Sequence, residues 1–470
     1  MILSPNGGIY RLLSSLLLLL ALVGRVAQAQ IPLDLDNQES IKSAAKIAAA
    51  GMMRDYIGNQ PGQIPGRFVE PYYWWECGAA WGAMIDYWYY TGDTTWNKDV
   101  TEGLLWQVGP AANYMPPNVS KSLGNDDQCF WGLAVMAAAE KNYPDPPADQ
   151  PQWLALAQGV FNSQTRRWDT KTCNGGLRWQ IFTFNNGFNY KNSISNGCFF
   201  QLAARLARYT GNDTYAQWAE RAYDWTVESG LLSPRYEVYD GIATDNCTNM
   251  DIIQWTYNAG TYIAGAAFLY NITNSAIWKN RLDSLITAAS VMFANPDWGQ
   301  GEKDVMIEPA CEFNTQPAGF CDPDQQSFKA YLARFMILAV KMAPYTESII
   351  MPYLRTTALA AAKNCRGGAD GTTCSLRWSK DDWQVMYTGM GEQMAVLEVI
   401  QSNLQRSVGI PVTADKGGTS KGDPNAGLSD ERTVQPLDLS PIETKDRVGA
   451  GFITAIVVSG VLGGAWWMLI

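Results

Sequence analysis

The sequence predicts an all-α fold, an (α/α)6 barrel of about six helical hairpins with long Gly/Asn-rich loops. Three observations point there. Strand-like alternation is scarce between Gln38 and Leu404, while apolar residues recur at the helical period. About twelve such runs occur, starting near residues 38, 75, 98, 126, 151, 193, 213, 255, 276, 324, 347 and 382. A turn signature recurs between them, as in an αα-hairpin. A linear solenoid of hairpins is the alternative, but the irregular repeat length and the long loops count against it.

The elements follow in order. Ile41, Ala45, Ile47, Ala48 and Met52 form the first apolar stripe, and Ala79, Ala80, Ala83, Met84, Tyr87 and Trp88 the second. Tyr90-Thr91-Gly92-Asp93 closes the second run and leads to Trp96 in the third. The fourth opens at Asn125-Asp126 and the fifth near residue 151. Phe199, Leu202, Ala203, Leu206 and Ala207 mark the sixth, and Tyr209-Thr210-Gly211-Asn212 turns it towards Tyr215 in the seventh. Tyr270-Asn271-Ile272-Thr273-Asn274 ends the eighth without a glycine and leads to Trp278. Tyr331, Phe335 and Leu338 belong to the tenth run, Met394, Leu397 and Ile400 to the last. In the marker, Gly takes the left-handed position that ends one helix. Asp or Asn then caps the next, and the aromatics lock the pair.

Composition narrows the chemistry. The 470 residues are 47% hydrophobic and 12% aromatic, enough for a large core. The net charge of -10, with no basic cluster, argues against nucleic-acid binding. No histidine is present, which excludes Ser-His-Asp and Cys-His catalysis and His-ligated metal sites. With no C-x-x-C or EF-hand spacing either, neither a metal nor a cofactor is expected.

Both ends carry targeting signals. Arg11, the apolar run Leu12 to Val23 and Ala27-Gln28-Ala29 read as a secretory signal over residues 1–29. The folded domain is then expected over 30–405, with a polar linker over 406–447 and an uncharged tail over 448–470. Small residues, spacer and terminal apolar tail match a GPI-attachment signal, with a single membrane span as the alternative. Asn425-Ala426-Gly427 and Ser440 are candidate attachment points. The protein is therefore expected outside the cell, held to the membrane by a lipid anchor. Sequons at Asn118, Asn212, Asn246 and Asn271 agree with secretion. Nine cysteines in an oxidising compartment should mostly pair. Cys311 with Cys321, Cys365 with Cys374, Cys173 with Cys247, and Cys77 with Cys129 are the expected pairs, leaving Cys198 as a buried thiol.

Asn125-Asp126-Asp127-Gln128 is the stretch with most chemistry in it. Two adjacent carboxylates at a helix start serve commonly as a cap that complements the dipole. Without histidine, carboxylates are also the agents left for catalysis, and a pair of them is what glycoside hydrolysis requires. The loops Cys173–Gln180 and Phe184–Asn196 mix Gly, amides and aromatic faces. Sugars bind by that mixture, stacking on a ring face and bonding through their hydroxyls. Trp74, Trp75, Trp131, Trp179 and Trp255 are candidate platforms, with core packing the plainer role for each.

A family resemblance runs through the same segments. Trp74-Trp75-Glu-Cys-Gly-Ala-Ala-Trp-Gly, Asn125-Asp-Asp-Gln-Cys-Phe-Trp131, Gly175-Gly-Leu-Arg-Trp-Gln-Ile181 and Tyr190-Lys-Asn-Ser-Ile-Ser-Asn196 appear in order. Trp255-Thr-Tyr-Asn258, Gln325-Gln-Ser-Phe-Lys329 and Thr388-Gly-Met-Gly-Glu-Gln393 follow. Together they resemble glycoside hydrolase family 76, the endo-α-1,6-mannanases, and within it the fungal GPI-anchored cell-wall branch. The resemblance implies a retaining enzyme on an (α/α)6 barrel, with Asp126 as nucleophile and Asp127 as general acid/base. A helix N-terminus nearby would favour the ionised Asp126. Arg178, Trp179, Asn192, Asn196, Asp240 and Tyr257 are the candidates for holding mannose; an ion pair for Arg178 and a helix cap for Asn196 are the structural alternatives.

The implied substrate is α-1,6-linked mannan or the mannose of a GPI-core glycan. Water as acceptor makes the protein a hydrolase; a β-glucan hydroxyl makes it a transglycosidase that grafts mannoproteins onto the wall. A non-catalytic mannan-binding or structural wall protein is the competing class. No nucleic-acid partner is expected, and the chain is expected to be a monomer.

Overall fold

The structure is a computed structural model that describes residues 30–313, 320–429 and 444–469. The secretory signal and Ser440 lie outside the described residues.

Among the described residues, twelve helices of ten residues or more build the body. They are α1 (Gln38–Met53), α2 (Trp74–Thr91), α3 (Asn97–Trp106), α4 (Asn125–Glu140), α5 (Trp153–Thr165) and α6 (Ser193–Thr210). The chain continues with α7 (Asp213–Glu228), α8 (Thr256–Thr273), α9 (Ala276–Ala288), α10 (Phe328–Met342), α11 (Glu347–Asn364) and α12 (Met390–Gln401). The even-numbered helices close a ring, each packed on the next and α12 back on α2. The odd-numbered helices lie outside them, which is the (α/α)6 arrangement. Each inner helix runs from one end of the barrel, called here the cleft end, to the base, and each outer helix returns.

The inner helices owe their position to apolar surface on every side, as expected of a helix buried all round. In α8 thirteen of the residues from Thr256 to Leu269 are buried. Close packing there needs glycine: a Cβ on Gly265 would lie 2.3 Å from the Phe200 ring of α6. The hairpin marker works as the sequence implies. Gly92 and Gly211 sit at φ 77° and 68° and end α2 and α6, and Asn274 replaces them after α8 at φ 49°. Asn212 then caps α7 by accepting from the Thr214 N–H at 2.9 Å.

Two carboxylates at the base are buried and neutralised. Asp86 of α2 pairs with Arg334 of α10 at 2.9 Å and with Lys141, and Glu140 of α4 pairs with Arg205 of α6 at 2.6 Å. Burial alone would raise the Asp86 pKa; Arg334 and Lys141 outweigh it and bring the carboxyl below its ordinary value. At the cleft end a small antiparallel sheet, β1 (Tyr190–Asn192), β2 (Gly241–Ala243) and β3 (Met250–Asp251), holds the loops together, with Asn192 opposite Gly241.

Three disulfides form as expected: Cys173–Cys247, Cys311–Cys321 and Cys365–Cys374. The expected Cys77–Cys129 pair does not. Cys77 is turned to the loop before α2, where its sulfur accepts from Phe68 N–H and donates to the Tyr73 carbonyl, while Cys129 lies against Cys198. All three are buried free thiols, Cys198 as expected. The sequon residues Asn118, Asn212, Asn246 and Asn271 are all exposed, though the Asn271 amide donates to the Met342 carbonyl at 2.9 Å.

The expected linker after residue 405 begins instead as a strap on the barrel. Residues 408–428 are hydrogen-bonded to it throughout: Val412 N–H to the Glu140 carbonyl at 2.8 Å, Ala414 N–H to Tyr209 at 2.8 Å, and Gly427 N–H to Ala111 at 2.9 Å. Its Gly, Ser and Asp residues read as a linker because polar bonds rather than apolar burial hold it down. The final helix α13 (Thr444–Leu469) includes an apolar span, Arg447–Trp466, that is long enough to cross a membrane and is not buried against the body.

Candidate active site

All six inner helices start at the cleft end, and the first turns of α2, α4, α8 and α10, with the loops before them and before α6, line one cavity. It measures about 660 Å³. Its twenty lining residues include five aspartates, nine aromatics and neither Lys nor Arg.

Asp126 and Asp127 sit in the first turn of α4, facing this cavity. The turn is pinned from three sides. Asn125 N–H donates to the Trp179 carbonyl at 2.8 Å, its amide donates to the Arg178 carbonyl at 2.8 Å, and its oxygen accepts from Arg167 at 2.7 Å. The helix start and the Trp179 loop therefore move as one piece.

The two carboxyls have different partners. Asp127 accepts the Gly124 N–H at 2.6 Å. Asp126 accepts the Asp127 N–H at 3.1 Å and a bond from the Asn192 side chain. Asn192 is free to donate because its own oxygen already caps α6, accepting from Ser195 N–H at 3.2 Å. Burial is the main reason both pKa values rise; it carries Asp127 to about 6, helped by Asp324 across the cleft. Burial and the neighbouring Asp127 charge push Asp126 well above its ordinary range. Close carboxyls titrate as a pair, so one member is more easily protonated than an isolated aspartate would be. Backbone N–H groups at the helix start serve both members of the pair, Gly124 N–H bonding Asp127 and Asp127 N–H bonding Asp126.

The surrounding shell is aromatic and acidic. Asp240 accepts from the Tyr190 hydroxyl at 2.7 Å, and burial raises it to about 6. Tyr257 stacks on Phe328, centroids 3.8 Å apart and planes 10° from parallel. Trp75 tilts over Phe130 at 4.6 Å. Below them Glu308 fixes the start of α8 by accepting from the Thr256 hydroxyl at 2.5 Å, and burial lifts its pKa to about 8.

Of the expected sugar-holding residues, Trp179, Asn192, Asp240 and Tyr257 line the cavity. Arg178 does not: its guanidinium pairs with Asp169 at 2.9 Å, donates to the Phe188 carbonyl at 2.9 Å and lies over the Phe188 ring. Asn196 is fully buried and clamps the Leu177 N–H at 2.7 Å and the Leu177 carbonyl at 3.0 Å. Both hold the loop that presents Trp179. Among the tryptophans, Trp74, Trp75 and Trp255 also reach the cavity, whereas Trp131 is core and donates to the Trp74 carbonyl. Asp251 and Asp324 are cleft carboxylates that sequence reasoning missed. Asp324 lies just before Gln325-Gln-Ser-Phe-Lys329, the one signal that pointed near it.

Paired carboxylates between aromatic walls on an all-α barrel define a class, the glycoside-processing enzymes. Residues 40–415 match the model of Glycosyl hydrolase family 76, and the chain belongs to that family. It is 47% identical to the mannan endo-1,6-alpha-mannosidase DCW1 of Eremothecium gossypii, over 97% of this chain and 98% of that one. The Saccharomyces cerevisiae protein of the same name is 46% identical, over 93% and 95%. Among solved structures, Dfg5 from Chaetomium thermophilum in complex with glucosamine superposes with a TM-score of 0.80 and 44% identity, covering 85% of this chain and 98% of that one. The GH76A alpha-1,6-mannanase of Salegentibacter sp. HEL1_6 shares the fold, with a TM-score of 0.60 at 18% identity over 77% and 98%.

Proposed function

We propose that this glycosidase is a retaining endo-α-1,6-mannosidase acting on α-1,6-linked mannose of wall mannan or of a GPI-core glycan. The adjacent Asp126 and Asp127 on the floor of a cleft without cations carry the reading. Relatives of high identity bear the mannosidase name, and the glucosamine complex concerns a relative at 44% identity. Five cleft carboxylates suit a donor glycan bearing an amino sugar.

In the reaction Asp127 protonates the glycosidic oxygen as the bond breaks, and Asp126 attacks the anomeric carbon to form a glycosyl ester. Asp127, now ionised, takes the proton of the incoming hydroxyl as it resolves the ester. The step needs the proton on Asp127. Positive charge developing at the anomeric carbon favours ionised Asp126, and the glycosidic oxygen beside Asp127 accepts its proton. Asn192, which donates to Asp126, steadies that charge. Trp179, Tyr257 and Asp240 hold the sugar by stacking and hydroxyl bonds.

The acceptor is proposed to be a wall β-glucan hydroxyl in place of water, with the protein held by a GPI anchor at the outer face of the plasma membrane. The cleft-lining aromatic faces and the apolar C-terminal span support that setting. Incubation with a GPI-core glycan and a β-1,6-glucan oligomer, resolved by mass, decides the acceptor. A chimeric product supports transfer, shortened mannosides alone mean hydrolysis, and intact donor refutes the enzyme.

A further inference from the structure

We propose that the strap over residues 408–428 turns the cleft towards the membrane, so that the enzyme works mouth-down on glycan rooted in the bilayer that holds it. The inference rests on the membrane-anchor reading above and adds an orientation to it.

The path of the strap is the first observation. It starts at the base, where Val412 bonds to Glu140 at the last residue of α4 and Arg208 of α6 donates to the Pro411 carbonyl at 2.8 Å. It then climbs along α5, contact by contact. Ser420 accepts from Leu154 N–H at 3.0 Å, Asp423 N–H donates to Gln158 at 2.7 Å, and Asn162 donates to the Ala426 carbonyl at 2.9 Å. Finally Arg166 donates to the Leu428 carbonyl at 2.7 Å. The direction of α5 is known from its end, since Arg167 bonds to Asn125, the residue before the aspartate pair. The chain therefore enters the strap at the base and leaves it at the cleft end.

Tether length is the second. Fifteen residues separate Leu428 from Thr444. Even fully extended, fifteen residues span at most about 50 Å, and lipid attachment before the apolar tail leaves little more than that. A body of about 400 residues has a radius of gyration of about 21 Å, so reaching its far side from this exit would take nearly the whole extended length. The face where the chain exits is the face held near the bilayer. Attachment at Asn425 would remove the Gly427 and Leu428 contacts that set this exit, so the strap favours attachment downstream of Leu428.

The third is the surface itself. Around the cleft mouth Tyr73, Phe184, Ile252, Val385 and Met386 are 56%, 61%, 66%, 74% and 56% exposed. Each belongs to a loop or cap at the cleft end, and such side chains suit the interfacial zone of a bilayer. The base exposes Ile272 and Ile277 at one hairpin turn, Ile349 on α11 and Ile410 where the strap begins, of which Ile277 at 63% and Ile410 at 62% are the most exposed.

The test uses the full lipid-anchored chain on spheroplasts. Asn186→Cys places a dye on the exposed cleft rim and Thr94→Cys places one on the exposed turn after α2 at the base; the three native free thiols are buried. Energy transfer to a lipid dye in the outer leaflet reads the distance. The eighteen residues of α2 set the rim and base about 27 Å apart. The proposal expects strong transfer from Asn186→Cys and weak transfer from Thr94→Cys. Equal transfer, or stronger transfer from the base, overturns it. Asn162→Ala combined with Arg166→Ala, which frees the upper strap, should shrink the difference; an unchanged difference also counts against the strap. Release by phosphatidylinositol-specific phospholipase C checks the anchor separately. A chain that resists release and stays attached refutes the lipid anchor, while the dye distances still report orientation.

Discussion

Carboxylates sit at both ends of the barrel, and those of the cleft and the ion-paired ones of the base behave in opposite ways. At the base, Asp86 and Glu140 are buried against Arg334, Lys141 and Arg205, and the Asp86 pKa falls. At the cleft, Asp126, Asp127 and Asp240 have no cation beside them, and burial drives their pKa values up. A neutralised carboxylate holds helices together. An uncompensated one that also lines the cleft keeps a proton within reach of a substrate, which is what the proposed catalytic pair needs.

The contrast is broken most severely at the pair. Asp127→Ala should lower turnover of an unactivated mannoside by about 10²–10⁴-fold while leaving the melting temperature unchanged or higher, since it removes a buried carboxyl with a strained pKa. Steady-state kinetics beside calorimetry checks both halves. Loss of folding instead would make Asp127 scaffold. The mirror change is Arg205→Ala at the base, which leaves Glu140 buried and unpaired. It should cost about 3–5 kcal/mol of stability, read by denaturant unfolding, with kcat of the folded fraction kept.

Acidity sharpens the comparison across the whole molecule. Asp127 and Asp240 near 6, and Glu308, Glu392 and Glu398 near 8, all lie above their unfolded values, so the folded state binds more protons between about pH 4 and 8. Stability from these groups is greatest in acid and declines as pH rises through that window. Thermal melts should therefore give a higher Tm near pH 5 than near pH 8. A Tm that climbs steadily to pH 8 would mean the base pairs dominate.

The smallest effect belongs to Asp324, whose charge raises Asp127 from across the cleft. Asp324→Asn should move the alkaline limb of the kcat/KM profile to lower pH with little change in the maximum. A profile merely lowered in height would reveal a contact with sugar instead.

Much of this was legible before the structure. The hairpin count was, because Gly92 and Gly211 mark helix ends with a conformation few residues adopt. Only the last helix starts far from its expected place, at Met390 rather than near 382, because one-turn segments at Trp378–Lys380 and Val385–Tyr387 precede it. Asp126 and Asp127 were legible as a pair; Asp251 and Asp324 were not, since a lone loop carboxylate looks like any solvated charge. Arg178 misled because a guanidinium in a Gly-rich loop resembles a ligand clamp, and only the fold reveals Asp169 beside it. The strap misled because composition registers polarity but not the bonds that satisfy it.

The roles within the pair are open to one direct measurement, the anomeric configuration of the azide formed from an activated α-mannoside. In Asp127→Ala the ester on Asp126 still forms, and azide should open it to α-mannosyl azide. In Asp126→Ala azide must enter from the vacated face and should give β-mannosyl azide. That pair of products is the predicted result; the reverse assignment, or no azide adduct from either variant, would contradict Asp126 as nucleophile and Asp127 as acid/base.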